Sequence, residues 1–465
     1  MNTYSGTDLL RLGCPQGRLV GELLAIVNDG HHDQDDVRRL IADNAPPPAL
    51  PLRASAAPCD FYIDAASEQE RANVAAVRAT MDAVLRTPVA VKGLIMPDAC
   101  PTGSTGTIPV GGVVTLDNAI APGMHSADIC CSVMMSVFDD ADPGALLDTV
   151  GALTHFGPGG RGADAWAGPD LHEDLAGTNR FLHGQQMAQA MTDHFGTQGD
   201  GNHFVFVGTL ASTGQAALVT HHGSRKPGAL LYKAGMKLAE TCRRTLSPET
   251  LKQNAWIPAD SEDGIAYWEA LQAIREWTRR NHLAIHDRTR ASGGWALRDR
   301  VFNEHNFVFR QGNLFHHAKG ATPLEPSMVP GSDGRMLVPL NMASPVLVIR
   351  GAERQGFAPH GAGRNMSRTR YKRQLEADGV SEAEALMEQT AGIDARWHSG
   401  RPDVSELPGA YKDAAAVQEQ MQRFGLADVV DRVMPYGSIM AGDWEHDAPW
   451  VKKRCDRTTA RRAAR

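Results

Sequence analysis

The spacing of apolar residues predicts helices in several parts of the chain. In these parts, apolar side chains recur every three or four positions, which is the period of an amphipathic helix. One of them begins with Ser67, and Glu70 follows three positions later; this pair forms a capping box at the start of many helices. The helices predicted in this way are 17–29, 33–44, 67–88, 228–245 and 262–281.

The pattern changes near residue 89. Short apolar runs separated by glycine and proline follow, and such runs are typical of strands. They occupy 89–100, 106–122 and 130–139. Residues 301–320 predict a hairpin, 345–361 predict a strand that leads into a glycine-containing loop, and 413–433 predict a helix. Strands and helices joined by long irregular connections indicate the α+β class.

Composition narrows the class of protein. The chain has 465 residues, of which 42% are hydrophobic and 22% charged, as in ordinary globular proteins. Its net charge of −7 excludes a uniformly basic surface, so any contact with nucleic acid requires a local basic groove. The seven cysteines do not form a disulfide pattern, and the sequence has neither a secretory signal nor a long apolar run. We therefore expect a soluble cytoplasmic protein with free cysteines.

Five side chains that can bind metal lie in glycine-rich or polar segments beside predicted strands. An acidic residue, a cysteine and three histidines together form a ligand set for one or two divalent ions such as manganese or zinc. The alternative is that the histidines are structural and the cysteine is a small core residue. The five residues are Asp128, Cys131, His203, His221 and His305.

The segment PHGAGRNMSRTR, residues 359–370, combines an imidazole with a bare backbone and positive charge. Gly361 and Gly363 allow a ligand to approach the backbone closely. Arg364 and Arg368 have side chains that grip phosphate in a forked geometry. His360 beside such a phosphate site would act as a base, a ligand or a nucleophile. The simpler alternative is a glycine turn with a surface histidine.

These segments together resemble one known family. The motifs MPD, DIxC, GDGNHF, HxGSR, EHN, PGS, HGAGRxMSR and AYKD occur in the order found in the RtcB family of RNA ligases, over residues 90–442. HGAGRNMSR and GNHF are highly specific in combination. The resemblance implies the RtcB-type fold, in which stacked β-sheets with surrounding helices enclose a central metal-binding cleft. It divides the chain into an N-terminal helical extension (1–88) with a proline-rich linker (45–58), a catalytic domain (89–442) and a basic tail (443–465).

The resemblance also implies an activity. RtcB-type ligases join RNA that ends in a 2′,3′-cyclic phosphate or 3′-phosphate to RNA with a 5′-hydroxyl, in RNA repair and tRNA splicing. They use GTP and Mn²⁺, and some need an activating protein partner. A histidine first accepts GMP, and by its match this residue is His360.

Other residues receive roles by the same match. The five candidates above would hold two manganese ions. Arg225 and Arg368 would contact RNA phosphate. The nucleotide would be bound by Asn202, Ser332, Gly361, Ala362, Gly363, Arg364 and Tyr411.

The chain departs from the family at three places. Cys100 stands where the family has a histidine after MPD, and a nearby lysine is missing. Phe206 replaces an acidic residue associated with the guanine edge, and Ala441 stands at the best match for a lysine near the base. Lys319 and Lys412 are candidates to replace the lost contact. An apolar replacement weakens selection of guanine, because only a hydrogen-bonding site discriminates strongly between bases.

Three alternatives stay open. The chain would be a ligase with altered nucleotide specificity, or an RNA-binding or regulatory protein that does not ligate. The third alternative is a metal-dependent enzyme that transfers or hydrolyses phosphate on other phosphorylated ends. Histidines adjacent to the motifs, for which packing or solvent exposure is the simpler role, are His125, His222, His316 and His317.

Overall fold

The computed structural model describes residues 3–44, 48–168, 170–352 and 356–444. Within these ranges the α-helices are α1 (Gly6–Arg11), α2 (Arg18–Asp29), α3 (Gln34–Asn44), α4 (Glu68–Leu85), α5 (Pro143–Leu153), α6 (Asp170–Ala176), α7 (Gln185–Asp193), α8 (Arg225–Leu246), α9 (Glu262–Gly293), α10 (Arg368–Ala377), α11 (Glu382–Gln389) and α12 (Ala414–Arg423). None of the helices in this described part is both long and apolar enough to cross a membrane.

The strands are interspersed with these helices along the chain. They are β1 (Cys59–Phe61), β2 (Ala90–Cys100), β3 (Val110–Asp117), β4 (Ala119–Ile120), β5 (Cys131–Asp139), β6 (Phe204–Leu210), β7 (Ala216–His222), β8 (Ile257–Pro258), β9 (Ala296–Gln311), β10 (Leu314–Lys319), β11 (Ala321–Pro323), β12 (Arg335–Pro339), β13 (Val346–Gly351), β14 (Phe357–Pro359), β15 (Asp394–Trp397) and β16 (Ala427–Met440).

One large sheet organises the molecule. Its strands follow the order β1-β2-β3-β10-β9-β5-β7-β6-β16-β13-β12, with β15 paired to β16. Most neighbours are antiparallel, and only the β1–β2 and β15–β16 pairs are parallel. Two small sheets, β11–β14 and β4–β8, complete the strand pairing. This mixed architecture confirms the α+β prediction.

The large sheet folds back on itself, so that each central strand has an inner and an outer face. On β5, Val133 and Met135 point inward and share a core cluster with Leu337 of β12 and Val346 of β13. Successive side chains of a strand point to opposite faces. The outer face of β5 and β7 is covered by α9.

The predicted N-terminal extension contains two packing units. Helices α1–α3 enclose a small core of their own, which includes Leu9, Leu23 and Val37. Helix α4 and strand β1 instead pack with β2 and β3. The capping box predicted at Ser67 and Glu70 is present at the start of α4. The domain boundary at residue 88 remains a prediction.

Residues 48–58 of the proline-rich linker form neither helix nor strand. They lie against the end of α8, where the Ser247 hydroxyl donates to the Leu50 carbonyl over 2.7 Å. Residues 45–47, and residues 445–465 of the basic tail, lie outside the described residues.

The hairpin predicted at 301–320 is confirmed by the antiparallel pairing of β9 and β10. The helix predicted over 413–433 is wrong in its second half, because α12 ends at Arg423 and residues from Ala427 onward form β16. Gly425 adopts a left-handed φ of +63°, which ends the helix. The valine-rich segment after it then pairs with β13 and β6.

We predict that the metal-free protein becomes less stable as pH falls below 6.5. Burial lowers the pKa of His125 to about 4 and that of His317 to about 3. The unfolded chain takes up these protons near pH 6.5 and the folded chain does not, so the free energy of unfolding falls by about 1.4 kcal/mol per pH unit for each such proton. Urea unfolding between pH 7.5 and 5 measures this slope.

The matched variant is His317→Gln, whose amide oxygen can replace Nε2 as the acceptor for the Ala121 N–H (2.9 Å). The slope of this variant should be smaller by about one proton than that of the unaltered chain. Equal slopes would show that His317 does not titrate in this way.

Candidate metal centre and nucleophilic histidine

The five predicted metal ligands come together at one end of the inner face of the folded sheet. Cys131 begins β5, His221 lies near the end of β7, and His305 lies within β9. Asp128 and His203 are in the segments that lead into β5 and β6. Long sequence separations thus converge because β9, β5, β7 and β6 are consecutive neighbours in the sheet.

The ligand atoms form two groups that share one sulfur. Cys131, His221 and His305 form the first group, and Asp128, Cys131 and His203 form the second; the ligand atoms of each group lie within 4.8 Å of one another. Cys131 Sγ is 3.2 Å from His221 Nε2 and 3.5 Å from His203 Nε2.

The other candidate ligand atoms also lie in close pairs. His203 Nε2 lies 3.2 Å from Asp128 Oδ2. His221 Nε2 and His305 Nε2 are also 3.2 Å apart. Two imidazole nitrogens that face each other at this distance are well placed to share a proton or to bind a cation between them.

The environment keeps the imidazoles of His221 and His305 and the carboxylate of Asp128 in the protonation states that ligands need. Burial lowers the pKa of His221 to about 3 and holds that of His305 well below its usual value, so both imidazoles are neutral at pH 7. Burial alone would raise the pKa of Asp128, but the neighbouring His203 brings it down to about 2. Burial and Asp128 raise the pKa of the Cys131 thiol. A bound cation reverses this last effect, because it stabilises the thiolate.

The donor set fits a divalent metal. Three histidine nitrogens, a thiol and a carboxylate match the ligand preferences of manganese and zinc. Cys131, His221 and His305 are almost completely buried, and the Nδ1 atoms of His203 and His305 have no hydrogen-bond partner among the described residues. His221 is oriented by its Nδ1, which lies 3.1 Å from the Asn202 carbonyl. Such a support fixes the direction of a ligating imidazole.

His360 lies directly beside this centre. Its ring centroid is 5.1 Å from that of His305. The Asp98 carboxylate, which is fully buried, holds it in place: Oδ2 lies 2.6 Å from His360 Nδ1 and also accepts the His360 backbone N–H over 3.1 Å. A proton on Nδ1 then leaves the lone pair on Nε2, which makes Nε2 the nucleophilic nitrogen.

The glycines after His360 are required by close backbone packing. A Cβ on Gly361 would lie 2.7 Å from the Pro339 carbonyl oxygen. Gly363 has a φ of +72°, and a Cβ there would lie 2.0 Å from the Asp98 carbonyl oxygen. A side chain at Gly363 would therefore push the His360 loop away from Asp98, and a side chain at Gly361 would push it away from Pro339.

A cavity opens next to His360. It has about 870 Å³ of unfilled space, its open mouth included. Its floor is formed by two cross-strand pairs of β6 and β16, Phe206 with Ser438 and Phe204 with Met440. The Ser438 hydroxyl donates to the Val205 carbonyl over 3.1 Å. The floor is therefore apolar in character.

One buried glutamate on the wall of the cavity holds two arginines, of which Arg364 lines the cavity and Arg368 does not belong to its described lining. Glu406 accepts from Arg364 and from Arg368, each over 2.6 Å, and also from the Tyr411 hydroxyl. Burial and Glu406 raise the pKa of Tyr411, so the phenol stays protonated. Arg364 also lies over the Tyr411 ring, 4.5 Å from its centroid. The cluster keeps a net positive charge near the cavity.

Most of the remaining predicted site residues line the cavity, and two do not belong to its described lining. The cavity is lined by Asn202, Gly361, Ala362, Gly363, Arg364 and Tyr411. Ser332 is not among the described lining residues; its hydroxyl accepts the Gly334 N–H over 3.0 Å in the loop before β12. Arg225 donates to the carbonyls of Gly157 and Gly159 over 2.7 and 2.8 Å.

The residues considered for the altered base contacts also lie in different places. Cys100 and Phe206 line the cavity, whereas Ala441 packs into a core cluster on the opposite face of β16. Lys319 donates to Thr102 Oγ1 over 2.6 Å, and Lys412 donates to the carbonyls of Pro97 and Ala99 over 2.8 Å. Neither lysine belongs to the described lining of the cavity.

Two functional residues did not appear among the predicted site residues. Asp98 is the last residue of the MPD motif, so a signal for it was present, but only the fold brings it next to His360. Glu406 lies outside every motif used above, and its pairing with two arginines over about forty residues had no local sequence signal.

Comparison with known proteins agrees with this geometry. The RtcB family profile, described as tRNA-splicing ligase RtcB, matches residues 170–441. The tRNA-splicing ligase RtcB of Aeropyrum pernix is 26% identical, over 74% of this chain and 87% of the relative. The RNA-splicing ligase RtcB of Mycobacterium tuberculosis is 28% identical, over 71% of this chain and 93% of the relative. The chain therefore belongs to the RtcB family.

Proposed function

We propose that this protein is an RNA ligase in which His360 accepts a nucleotide and passes it to an RNA 3′ end. The observation that carries the proposal is the position of His360, which Asp98 holds beside a cluster of candidate metal-binding side chains and next to an open cavity. The names of its relatives support ligation in tRNA splicing.

In the first step, His360 Nε2 attacks the α-phosphorus of GTP. A nitrogen–phosphorus bond forms, the bond to the β-phosphate oxygen breaks, and pyrophosphate leaves. Asp98 orients the imidazole and stabilises the positive charge that develops on it. Asp128, Cys131, His203, His221 and His305 would hold a divalent metal, which would neutralise the negative charge of the phosphates. Arg364, on the cavity wall, adds positive charge near the phosphate oxygens.

In the later steps, the nucleotide is transferred from His360 to RNA. An oxygen of the RNA 3′-phosphate, which is produced first where the end is a 2′,3′-cyclic phosphate, attacks the phosphorus bound to His360 and releases the histidine. The 5′-hydroxyl of the second RNA then attacks the activated 3′-phosphate and expels GMP. Arg368, which is half exposed at the cluster, is suited to contact RNA phosphate. We propose the same role for Arg225. We also propose that an activating protein partner assists the reaction.

We propose that the metal is manganese and that two ions would be held by Asp128, Cys131, His203, His221 and His305. The two ligand groups each contain the Cys131 sulfur, so all five side chains would serve as ligands. The mixture of a hard carboxylate with imidazoles and a thiolate suits manganese as well as zinc.

We predict that Cys131→Ala removes nearly all bound Mn²⁺, whereas Asp128→Asn removes about half, since Asp128 belongs to only one ligand group. Elemental analysis after equilibrium dialysis measures the metal content. The matched control is Cys130→Ala, because Cys130 is equally buried but packs in the apolar core. If Cys130→Ala and Cys131→Ala retain the same amount of metal, Cys131 is not a ligand.

We predict that the protein incubated with Mn²⁺ and α-labelled GTP acquires an acid-labile label, and that His360→Ala abolishes it. Asp98→Asn should slow labelling by about 10²- to 10⁴-fold, because the imidazole loses the carboxylate that orients it. Label on the His360→Ala protein would contradict the role of His360. A folded, metal-loaded protein that takes up label from none of the four nucleotides would favour a non-ligating RNA-binding protein.

The cavity also bears on the choice of nucleotide. Its floor presents phenyl rings and a thioether, and the Ser438 hydroxyl is already engaged. Glu406 is the carboxylate in the described lining, and it is fully occupied by two arginines and a tyrosine. We infer that the base binds by stacking and apolar contact rather than by hydrogen bonds at its edge.

We predict weak discrimination between nucleotides. The ratio of kcat/KM for labelling with GTP over ATP should be below about 200, as in apolar pockets, rather than the roughly 10⁴ or more of sites that hydrogen-bond the selected group. Labelling rates with each nucleotide at several concentrations give this ratio. Preference for GTP by more than about 10⁴ would show that polar contacts to guanine are made elsewhere in the cavity.

A further inference from the structure

Helix α9 contacts all three strands that carry buried metal ligands. Cys131, His221 and His305 lie on the inner faces of β5, β7 and β9. Their immediate neighbours in sequence point to the outer face, because side chains alternate along a strand. These neighbours are Ser132, Thr220 and Glu304.

Each neighbour makes a polar contact with α9. Ser132 Oγ lies 3.0 Å from His282 Nε2, and Thr220 Oγ1 lies 2.6 Å from His282 Nδ1. Glu304 pairs with Arg275, whose Nη2 donates over 2.9 Å. One side chain, His282, therefore links the strand of Cys131 to the strand of His221.

The contacts at His282 belong to a continuous chain of hydrogen bonds. From Thr220 the chain continues to His286 Nε2 over 2.8 Å, from His286 Nδ1 to Ser136 Oγ over 2.8 Å, and from Ser136 to Arg300 Nε over 3.0 Å. At the other end, Ser132 Oγ is 3.4 Å from the His222 carbonyl.

The proton count fixes the direction of this chain. Arg300 can only donate and a carbonyl can only accept. The six links need six protons, which one guanidinium N–H, three hydroxyls and two neutral imidazoles supply. His282 and His286 must then each carry the proton on Nε2 and accept at Nδ1.

The surroundings favour this arrangement. Ser132, Ser136, Thr220, His282 and His286 are fully buried. Burial disfavours a charged imidazole, so both histidines stay neutral, as the chain requires. A buried polar network in which every member is satisfied specifies one arrangement of the elements that it joins, since any shift leaves a donor or acceptor unpaired.

We propose that α9 sets the spacing of the three ligand-bearing strands, and that Thr220 and His282 are positioning residues for the metal centre. The inference rests on the proposed metal centre. A shift of β7 relative to β5 would break the Thr220–His282–Ser132 links and would separate His221 from Cys131. The hydroxyl of Thr220 thus acts on metal binding without contacting the metal.

The test compares three variants by Co²⁺ titration of the metal-free, full-length protein, with the thiolate-to-cobalt absorption as the spectroscopic readout. Thr220→Val removes the hydroxyl and keeps the shape. Thr220→Ser keeps the hydroxyl. Thr278→Val is the matched control, because Thr278 is also fully buried and its hydroxyl bonds only the Ile274 carbonyl within α9 over 2.8 Å.

We expect Thr220→Val to weaken Co²⁺ binding by about 10- to 100-fold and to shift the absorption band, as loss of a supporting contact to a metal site does. Thr220→Ser and Thr278→Val should stay within about twofold of the unaltered protein, because neither change removes a hydrogen bond to a ligand-bearing strand. Circular dichroism and melting temperature establish that each variant is folded.

Equal Co²⁺ affinity of Thr220→Val and Thr278→Val would overturn the inference. If Thr220→Val does not fold, Ser132→Ala decides, because it removes the other link to His282; unchanged affinity and spectrum in that variant would also overturn it. If the unaltered protein binds no Co²⁺, the proposed metal centre is wrong, and the inference falls with it. That outcome is recognised because the unaltered protein and every variant then fail to bind Co²⁺.

Discussion

The alternation of side chains along β5, β7 and β9 places candidate metal ligands on one face of the sheet and the residues that contact α9 on the other. Inward positions carry the thiol and two of the imidazoles, and outward positions carry the hydroxyls and the carboxylate that contact α9. The folding of the sheet then closes the inner face with β12 and β13. Because side chains alternate along each strand, a shift of one residue in the register of β5, β7 or β9 would turn its candidate ligand to the outer face.

Charge is balanced locally around this arrangement. The chain as a whole carries a net charge of −7, yet two arginines beside the cavity are paired with a single carboxylate. The Asp98 carboxylate is hydrogen-bonded to His360. A phosphate group brought to the cavity thus meets positive charge at Arg364.

The sequence singled out the candidate ligands and His360 because these residues lie in short motifs with distinctive residue types, and the structure brings them together. It predicted the long helices and the β9–β10 hairpin from periodicity alone. It failed at 427–433, where a valine-rich segment after Gly425 joins the sheet, because the choice between helix and strand there depends on pairing with β13 and β6. It did not identify Asp98 as the support of His360 or Glu406 as the partner of the arginines, since both contacts join distant segments.

We propose that His360 is the nucleophile beside a metal centre built around Cys131. A crystal structure of the protein with Mn²⁺ and GTP, with anomalous diffraction recorded at the manganese edge, tests both parts at once. We expect anomalous peaks within bonding distance of Cys131 Sγ and electron density that joins His360 Nε2 to a phosphorus atom. Manganese bound away from Cys131, or a nucleotide bound with its phosphates remote from His360, would show that the proposal is wrong.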